Sequence, residues 1–290
     1  MNKSSKRFLA LSHVVLIFLS ICIVAPFLLL IISSLTEEKT AVKYGYSFFP
    51  KQWSLDAYKY ILSNSALFGK AFIITICVTV AGVLIGVLIS SMMAYVLSRP
   101  GIPGGGILNF YVVFTMLFNG GLVATYLNYV QIFHIKNTYL ALLVPNLLCN
   151  AFSIIMIKNY FQSTIPEELL EAARIDGASE MSIFLKVVMP LSKPILATVA
   201  LIIGLAYWND WQNGLYYLDD ATMHGIQNVL NDMNSNAKYL MQFAGSSGVT
   251  IPTTTVRMAI AVVGIFPVLC IYPFFQDFFA KGITVGAVKG

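Results

Sequence analysis

Charge is what this chain has least of. Only 11% of its residues are Asp, Glu, Lys or Arg, less than half the share of about 25% found in soluble domains. So few charges cannot solvate the surface of a soluble globule of this length, which sets that class aside at the start. Histidine and cysteine are scarce too. His13, His134 and His224 are isolated from one another, and such spacing offers no zinc site. Cys22, Cys77, Cys149 and Cys270 each lie in an apolar stretch, and no C-x-x-C occurs. Buried free thiols are expected, not a disulfide framework. The G-x-x-x-x-G-K-S/T loop is missing as well, so ATP binding of the P-loop kind is excluded for this chain. The net charge of +5 comes from scattered Lys and Arg. Without a basic run or an RNA-binding aromatic signature, it reads as membrane-surface charge, and no nucleic-acid partner is expected.

What fills the chain is apolar. Hydrophobic residues make up 58% of it, and the mean hydropathy is +0.77. A membrane helix needs about 20 mostly apolar residues. Six stretches qualify: 14–32, 71–97, 107–129, 139–157, 194–218 and 256–279. The first follows Lys3, Lys6 and Arg7 and exceeds the roughly 7–15 residue core of a signal peptide, so it reads as a retained span. In the second, Gly82, Gly86, Ser90 and Ala94 recur every four residues. Small residues so spaced let another helix approach closely, either within this chain or in a second subunit. The third is interrupted by Asn119-Gly120-Gly121, the fourth carries Pro145, Asn146 and Asn150, and the sixth contains Pro267 and Pro273. "RPGIPGGG" (99–106) is a tight turn between spans two and three. It follows no strand and lacks the Lys-Ser/Thr of a nucleotide loop. The longer connections run over about 36–69 and 219–255. The basic N-terminus and Arg99 place their side of the bilayer inside.

One segment breaks the apolar pattern. "EELLEAARIDGASE" (167–180) carries six charges in fourteen residues. Glu167 to Asp176 predicts a short helix, with Thr164 as its cap, Pro166 in its first turn and Glu167 as capping-box partner. Its early acids suit the positive end of the helix dipole, and Gly177 supplies the left-handed stop. A second helix is expected from Ser179, with Ile183, Phe184, Val187 and Val188 on one face and Pro190 ending it. Such an elbow lies in the interface without crossing the bilayer. A plain amphipathic connector on headgroups is one reading. Glutamates fit anionic headgroups badly, which favours a protein partner.

Glu171-Ala172-Ala173, then Gly177 after three intervening residues, then Val187-Val188-Met189-Pro190 after nine more, resembles the EAA loop of ABC importer membrane subunits. In that pattern the last four positions read I-x-L-P, and here Val187 and Met189 replace the Ile and Leu. The rest of the chain is similar to the smaller membrane subunit of maltose-type carbohydrate importers. "FNGGLVATYL" and the tail "FFAKGITVGAVKG" are similar to the oligosaccharide and polysaccharide branch. The resemblance implies an all-α integral membrane protein forming one transmembrane domain over 1–290. Six helices would cross the membrane, with a cytoplasmic coupling loop at about 164–190 between spans 4 and 5. It implies a bacterial inner-membrane location with both termini cytoplasmic. The implied partners are a second permease subunit, an ATPase dimer and an extracytoplasmic sugar-binding protein. No cofactor is expected in this chain, since ATP and Mg would sit on the ATPase, and no enzymatic activity of its own is expected. ATPase coupling would fall to Glu171, Ala172, Ala173, Arg174, Asp176, Gly177 and Pro190. Glu171 and Arg174 stand three apart and are able to pair, and both alanines would let a partner approach. The loops at 36–69 and 223–252 would meet the binding protein, and the C-terminal tail would reach the ATPase.

The sugar path has a separate candidate in "YWNDWQNGLYYLDD" (207–220). Aromatic faces and amides suit sugar rings, which nominates Tyr207, Trp208, Asn209, Asp210, Trp211 and Asn213. An interfacial aromatic belt explains the same composition, although an acid at Asp210 favours a lumen over lipid. Asn119, Asn146 and Asn150 suit a path or helix–helix hydrogen bonds equally. The rival function is a secondary transporter of a small polar solute, which would place ion-coupling acids at mid-membrane. Asp210 and Asp277 are the only acids within the spans, each towards an end. A membrane-embedded enzyme would need clustered catalytic groups, and the sequence has none.

Overall fold

The computed structural model describes residues 3–243 and 253–287. Helices supply the regular structure of these residues, and extended pairing is limited to one isolated bridge between Thr36 and Trp53. In chain order the helices begin with α1 (Lys3–Ser34), α2 (Glu38–Tyr44), α3 (Asp56–Ser63) and α4 (Ser65–Ser98). Next come α5 (Gly105–Leu117), α6 (Gly121–Leu127), α7 (Leu140–Leu143) and α8 (Ala151–Thr164). The elbow region holds α9 (Glu167–Ile175), α10 (Glu180–Ile183) and α11 (Met189–Leu191). It is followed by α12 (Lys193–Trp208), α13 (Gln212–Tyr217), α14 (Ile226–Phe243) and α15 (Thr253–Ala287). π-Helical turns continue α6 through Asn128–Ile132 and join α10 to α11 through Phe184–Val188.

Among the described residues, three helical stretches are long and apolar enough to cross a membrane unbroken: Leu11–Ser34, Ser65–Ser98 and Thr254–Ile271. Two further pairs qualify only if each is one bent span, Gly105–Leu117 with Gly121–Ile132 (117°) and Glu180–Leu191 with Lys193–Trp208 (84°). The third expected span is therefore not one helix. The Asn119-Gly120-Gly121 interruption reverses the chain there, with Gly121 at φ 83°. The fourth is broken as well: α7 is a single turn, and regular helix resumes only at Ala151.

The chain divides into two compact units. The first comprises Met1–Phe68 and Val229–Pro267. In it the Glu38 carboxylate accepts hydrogen bonds from the backbone N–H of Thr254 (3.0 Å) and Thr255 (2.8 Å) and from the Thr255 hydroxyl (2.6 Å). The first N–H groups of a helix have no intrahelical acceptor, and an acid there also meets the positive end of the dipole. Glu38 thus caps α15 from a distant point in the sequence. The middle of α1 is exposed along its apolar length, with Phe18 and Ile23 both near two-thirds accessible. Such a surface is tolerable only against lipid or another protein.

The second unit is Gly69–Asn228 with Val268–Gly290. Its main core joins Ala94, Tyr95 and Leu97 of α4 to Ile154, Ile157, Tyr160 and Phe161 of α8, and to Ile195, Val199, Ile203 and Tyr207 of α12. The small-residue stripe of α4 makes this approach possible. A Cβ on Gly82 would strike the Tyr207 ring, and one on Gly86 would meet Leu148 O at 3.3 Å and the Ile203 side chain at 3.5 Å. Ser90 and Ala94 are fully buried. The stripe is thus a packing face within this chain. The four cysteines are free thiols, but all are exposed on the chain surface, contrary to the expected burial. A face turned towards lipid is as apolar as a core, so apolar sequence neighbours do not decide between them.

Gly82→Leu forces a branched side chain into the space of the Tyr207 ring. Overpacking of this kind costs about 1–3 kcal/mol. The expected result is a lowered melting temperature of the purified protein in detergent; an unchanged melting curve would show that the α4–α12 contact is not tight.

Candidate functional site

The elbow begins where α8 runs out. Pro166 occupies the N-cap of α9 in extended conformation, and no side chain caps the helix. Thr164, expected as the cap, instead ends α8, its hydroxyl 3.4 Å from that of Ser163. Glu167 and Glu168 stand in the first turn, where the dipole favours them. At the other end the N–H of Gly177 bonds Arg174 O and that of Ala178 bonds Ala173 O, both at 3.0 Å. Gly177 has φ 78°. This pair of bonds around a left-handed glycine is the Schellman arrangement. Ala173 and Ala178 each pack against the main core. Ser179 caps α10 through its hydroxyl, accepting from Ser182 N at 3.3 Å. The second arm runs through Pro190 as far as Leu191, and the chain turns at buried Ser192. Pro190, expected as the stop, falls inside the last turn of this arm, just after the π-helical turn Phe184–Val188.

The elbow has two faces of opposite character. Inward, Leu170, Ile183, Phe184 and Val188 are buried in the same core as α4, α8 and α12. Ala173 is on this side, half-buried, so of the two alanines only Ala172 is free for a close approach from outside. Outward, Glu167, Glu168, Glu171, Ala172, Arg174, Asp176, Gly177 and Pro190 are exposed. Ile175 is 85% exposed beside them. It is five positions from Leu170, well off the buried stripe of a 3.6-residue helix.

A polar clasp locks the two arms. Arg174 does not pair with Glu171. Its Nε donates instead to Glu180 Oε1 at 2.7 Å, and the Tyr95 hydroxyl of α4 donates to Glu180 Oε2 at 2.6 Å. The Tyr95 ring lies 5.3 Å from that of Phe184, and the Arg99 guanidinium sits 4.2 Å from its centroid. Arg174 first, and then the Tyr95 hydroxyl, hold the Glu180 carboxyl below the usual range. Glu180 and Tyr95 were not singled out in the sequence. They are 85 positions apart, and nothing local in either segment signals the pairing.

The six aromatic and amide candidates separate into two groups. Tyr207, Trp208 and Asn213 are buried. The Tyr207 hydroxyl donates to Leu143 O at 2.6 Å, and Asn213 Nδ2 donates to Pro145 O at 3.1 Å. These carbonyls lie at the end of α7 and in the broken stretch that follows it, which has lost its helical donors and must find others. Asn209, Asp210 and Trp211 remain at or near the surface. Asp210 Oδ1 accepts from the N–H of Gln212 (3.1 Å) and Asn213 (3.2 Å). The acid that hinted at a lumen thus starts α13. Asn119 and Asn150 do similar backbone work, accepting from Gly121 N and Phe152 N, and Asn146 holds a left-handed turn at φ 62°. Among the described residues no group of three or more His, Cys, Asp or Glu is arranged to hold a metal ion.

Three substitutions test this geometry. Gly177→Ala meets no atom within 4 Å, so its cost comes from the positive φ alone, about 1 kcal/mol. Tyr95→Phe and Glu180→Gln, made singly and together, should show a favourable coupling of about 1 kcal/mol in thermal unfolding, reduced from a buried charged bond because Glu180 is half exposed. The Glu180 pKa is depressed in the fold. Its contribution is therefore present above its unfolded value and fades as pH falls through the folded one. Additive single-mutant effects, or a coupling that grows on acidification, would contradict the clasp.

Known proteins resemble the chain along nearly its whole length. Residues 86–285 match the family described as "Binding-protein-dependent transport system inner membrane component". The polygalacturonan/rhamnogalacturonan transport system permease protein YtcP of Bacillus subtilis is 40% identical over 95% of this chain and 95% of its own. Protein LplC of the same organism is 37% identical over 92% and 90%. The crystal structure of a bacterial ABC transporter that imports the acidic polysaccharide alginate superposes with a TM-score of 0.82 at 30% identity, covering 96% of this chain and 99% of that one.

Proposed function

Because this chain belongs to the family of inner membrane components of binding-protein-dependent transport systems, we propose that it is the permease subunit of an ATP-binding cassette importer that carries an oligosaccharide inward. The relatives named for polygalacturonan, rhamnogalacturonan and alginate support a carbohydrate cargo. In this reading the chain is one transmembrane domain of six spans, the broken helices included, with both termini on the cytoplasmic side. A second permease completes the path. ATP and Mg are held by a separate ATPase dimer, one member of which grips the elbow.

The observation that carries the reading is the two-faced elbow. Its acid-rich outer face, with Glu171, Ala172, Arg174, Ile175 and Asp176, is open to a partner. Its inner face is part of the core of α4, α8 and α12. A displacement applied outside therefore moves the membrane helices with little loss in the joint. ATP binding closes the ATPase pair, and the spans rock between inward-open and outward-open states, a two-state element biased from a distant site. Substrate contact on this chain narrows to Asn209, Asp210 and Trp211, which keep accessible surface, while Tyr207, Trp208 and Asn213 support the path's wall. The loop at 36–69 and the one at 223–252 dock the sugar-binding protein. The second extends beyond the described residues, as does the end of the C-terminal tail assigned to the ATPase.

Glu171→Lys leaves the folded chain undisturbed, since Glu171 is exposed and makes no ion pair with Arg174. Gly177→Pro breaks the left-handed turn. Both should leave ATP hydrolysis by the reconstituted transporter in place while sugar uptake into vesicles falls about ten-fold or more, the scale of a coupling of ~1–3 kcal/mol. Uptake at the wild-type rate in either variant would remove the elbow from the mechanism.

A further inference from the structure

The turn after α4 roofs a cavity that the transport reading does not use. It has a volume of about 330 Å³ and is lined by the turn itself, the end of α4, the first turns of α5, and Lys158 and Gln162 of α8. Two cations line it, Arg99 and Lys158, and no acid does. Lys158 Nζ donates one hydrogen bond, to Asn109 Oδ1 at 2.7 Å, which fixes the ammonium at the cavity and leaves two N–H groups to spend. Arg99 lies over the Tyr95 ring, and its Nε is buried without a hydrogen-bond partner. Two of the acceptors nearby are already engaged: Asn109 Oδ1 by Lys158, and Ser98 O by Gln162 Nε2 at 3.4 Å. No side chain caps α5, whose N-cap is Gly104, so its first turn adds donors and no acceptor.

No acid lines the cavity beside Lys158, whereas Arg99 also lines the adjoining cleft with Glu180. Lys158 is thus the cation left without a counter-charge, and it calls for an anion. Place decides which one. Helix α4 is apolar up to Leu97, and the cavity opens where that run stops. Directly along α5 the surface turns apolar again, with Ile107, Phe110, Tyr111 and Phe114 exposed. An anionic head at the turn with hydrocarbon tails along α5 matches both halves of this surface. We propose that the cavity holds the phosphate of an anionic membrane phospholipid, with Lys158 and Arg99 as its cationic ligands. Basic pockets at the ends of membrane helices are suited to such headgroups. The proposal needs only that the chain lies in a bilayer, and it stands or falls apart from the transport cycle.

The complete transporter, purified in mild detergent and offered mixed micelles of phosphatidylglycerol and phosphatidylcholine, provides the test, with bound lipid counted by native mass spectrometry. Wild type should retain phosphatidylglycerol over phosphatidylcholine. Lys158→Gln keeps a donor for Asn109 and removes the charge, and should lower that retention about five-fold, the effect of one basic residue near a lipid surface. Lys158→Arg should restore it, which separates loss of charge from loss of fold. No preference between the two lipids, or the same preference in Lys158→Gln, overturns the assignment. So does displacement of the bound lipid by inorganic phosphate, which would give the cavity to a soluble anion.

Discussion

Everything the elbow does depends on where its apolar face goes. Leu170, Ile183, Phe184 and Val188 are buried in one core with α4, α8 and α12. Burying one such side chain is worth about 1.5–3 kcal/mol. The half-exposed Arg174–Glu180 pair contributes at most about 1 kcal/mol. Packing therefore holds the elbow to the helices, and the polar clasp sets the angle between its arms. A helix as short as α9 is marginal alone in water, and this core is what keeps it formed.

A second constraint runs through the same unit. The chain breaks its helices after Leu117, around 144–150 and after Trp208, and each break strands backbone groups where water is scarce. The structure answers with nearby side chains. Tyr207 and Asn213 serve the carbonyls of Leu143 and Pro145, Asn150 caps α8, and Asp210 starts α13. Read this way, polar residues inside apolar segments are first the repair of a broken backbone. Asn209 does the same at the end of α12, its Nδ2 donating to Leu205 O at 2.8 Å.

This separates what the sequence made legible from what it hid. The helix at 167–175, the glycine stop at 177 and the apolar stripe through Ile183, Phe184 and Val188 were all readable, because period and turn chemistry are local signals. The breaks in the third and fourth spans were visible as Asn-Gly-Gly and Pro-Asn, yet their consequence was not. Hydropathy records composition and not direction, so it cannot tell a crossing helix from one that turns back. Partner choice was hidden for a different reason. Arg174 had Glu171 at helical spacing, but Glu180 wins because the Gly177 turn brings it back across the elbow while Tyr95 arrives from α4. Burial of the cysteines was misjudged since lipid-facing and core-facing surfaces share one chemistry.

The small-residue stripe and the elbow are parts of one mechanical argument. Gly82 and Gly86 let α4 press against Tyr207, Ile203 and the backbone at Leu148, and the far end of α4 supplies Tyr95 to the clasp. One helix thus touches the broken, amide-rich region near one end and the elbow at the other. Close-packed interiors are stiff and shift between discrete arrangements instead of deforming smoothly. A displacement at Glu180 has no soft element along α4 in which to dissipate. It reaches Tyr207, whose hydroxyl holds the broken segment at Leu143, as a movement of the whole helix. Had the stripe faced another subunit, α4 would have been free to slide against α12, and the elbow would have moved without the region around Tyr207. In the proposed transport cycle, in-chain packing of the stripe is therefore what would let the elbow act as a lever for this half of the protein.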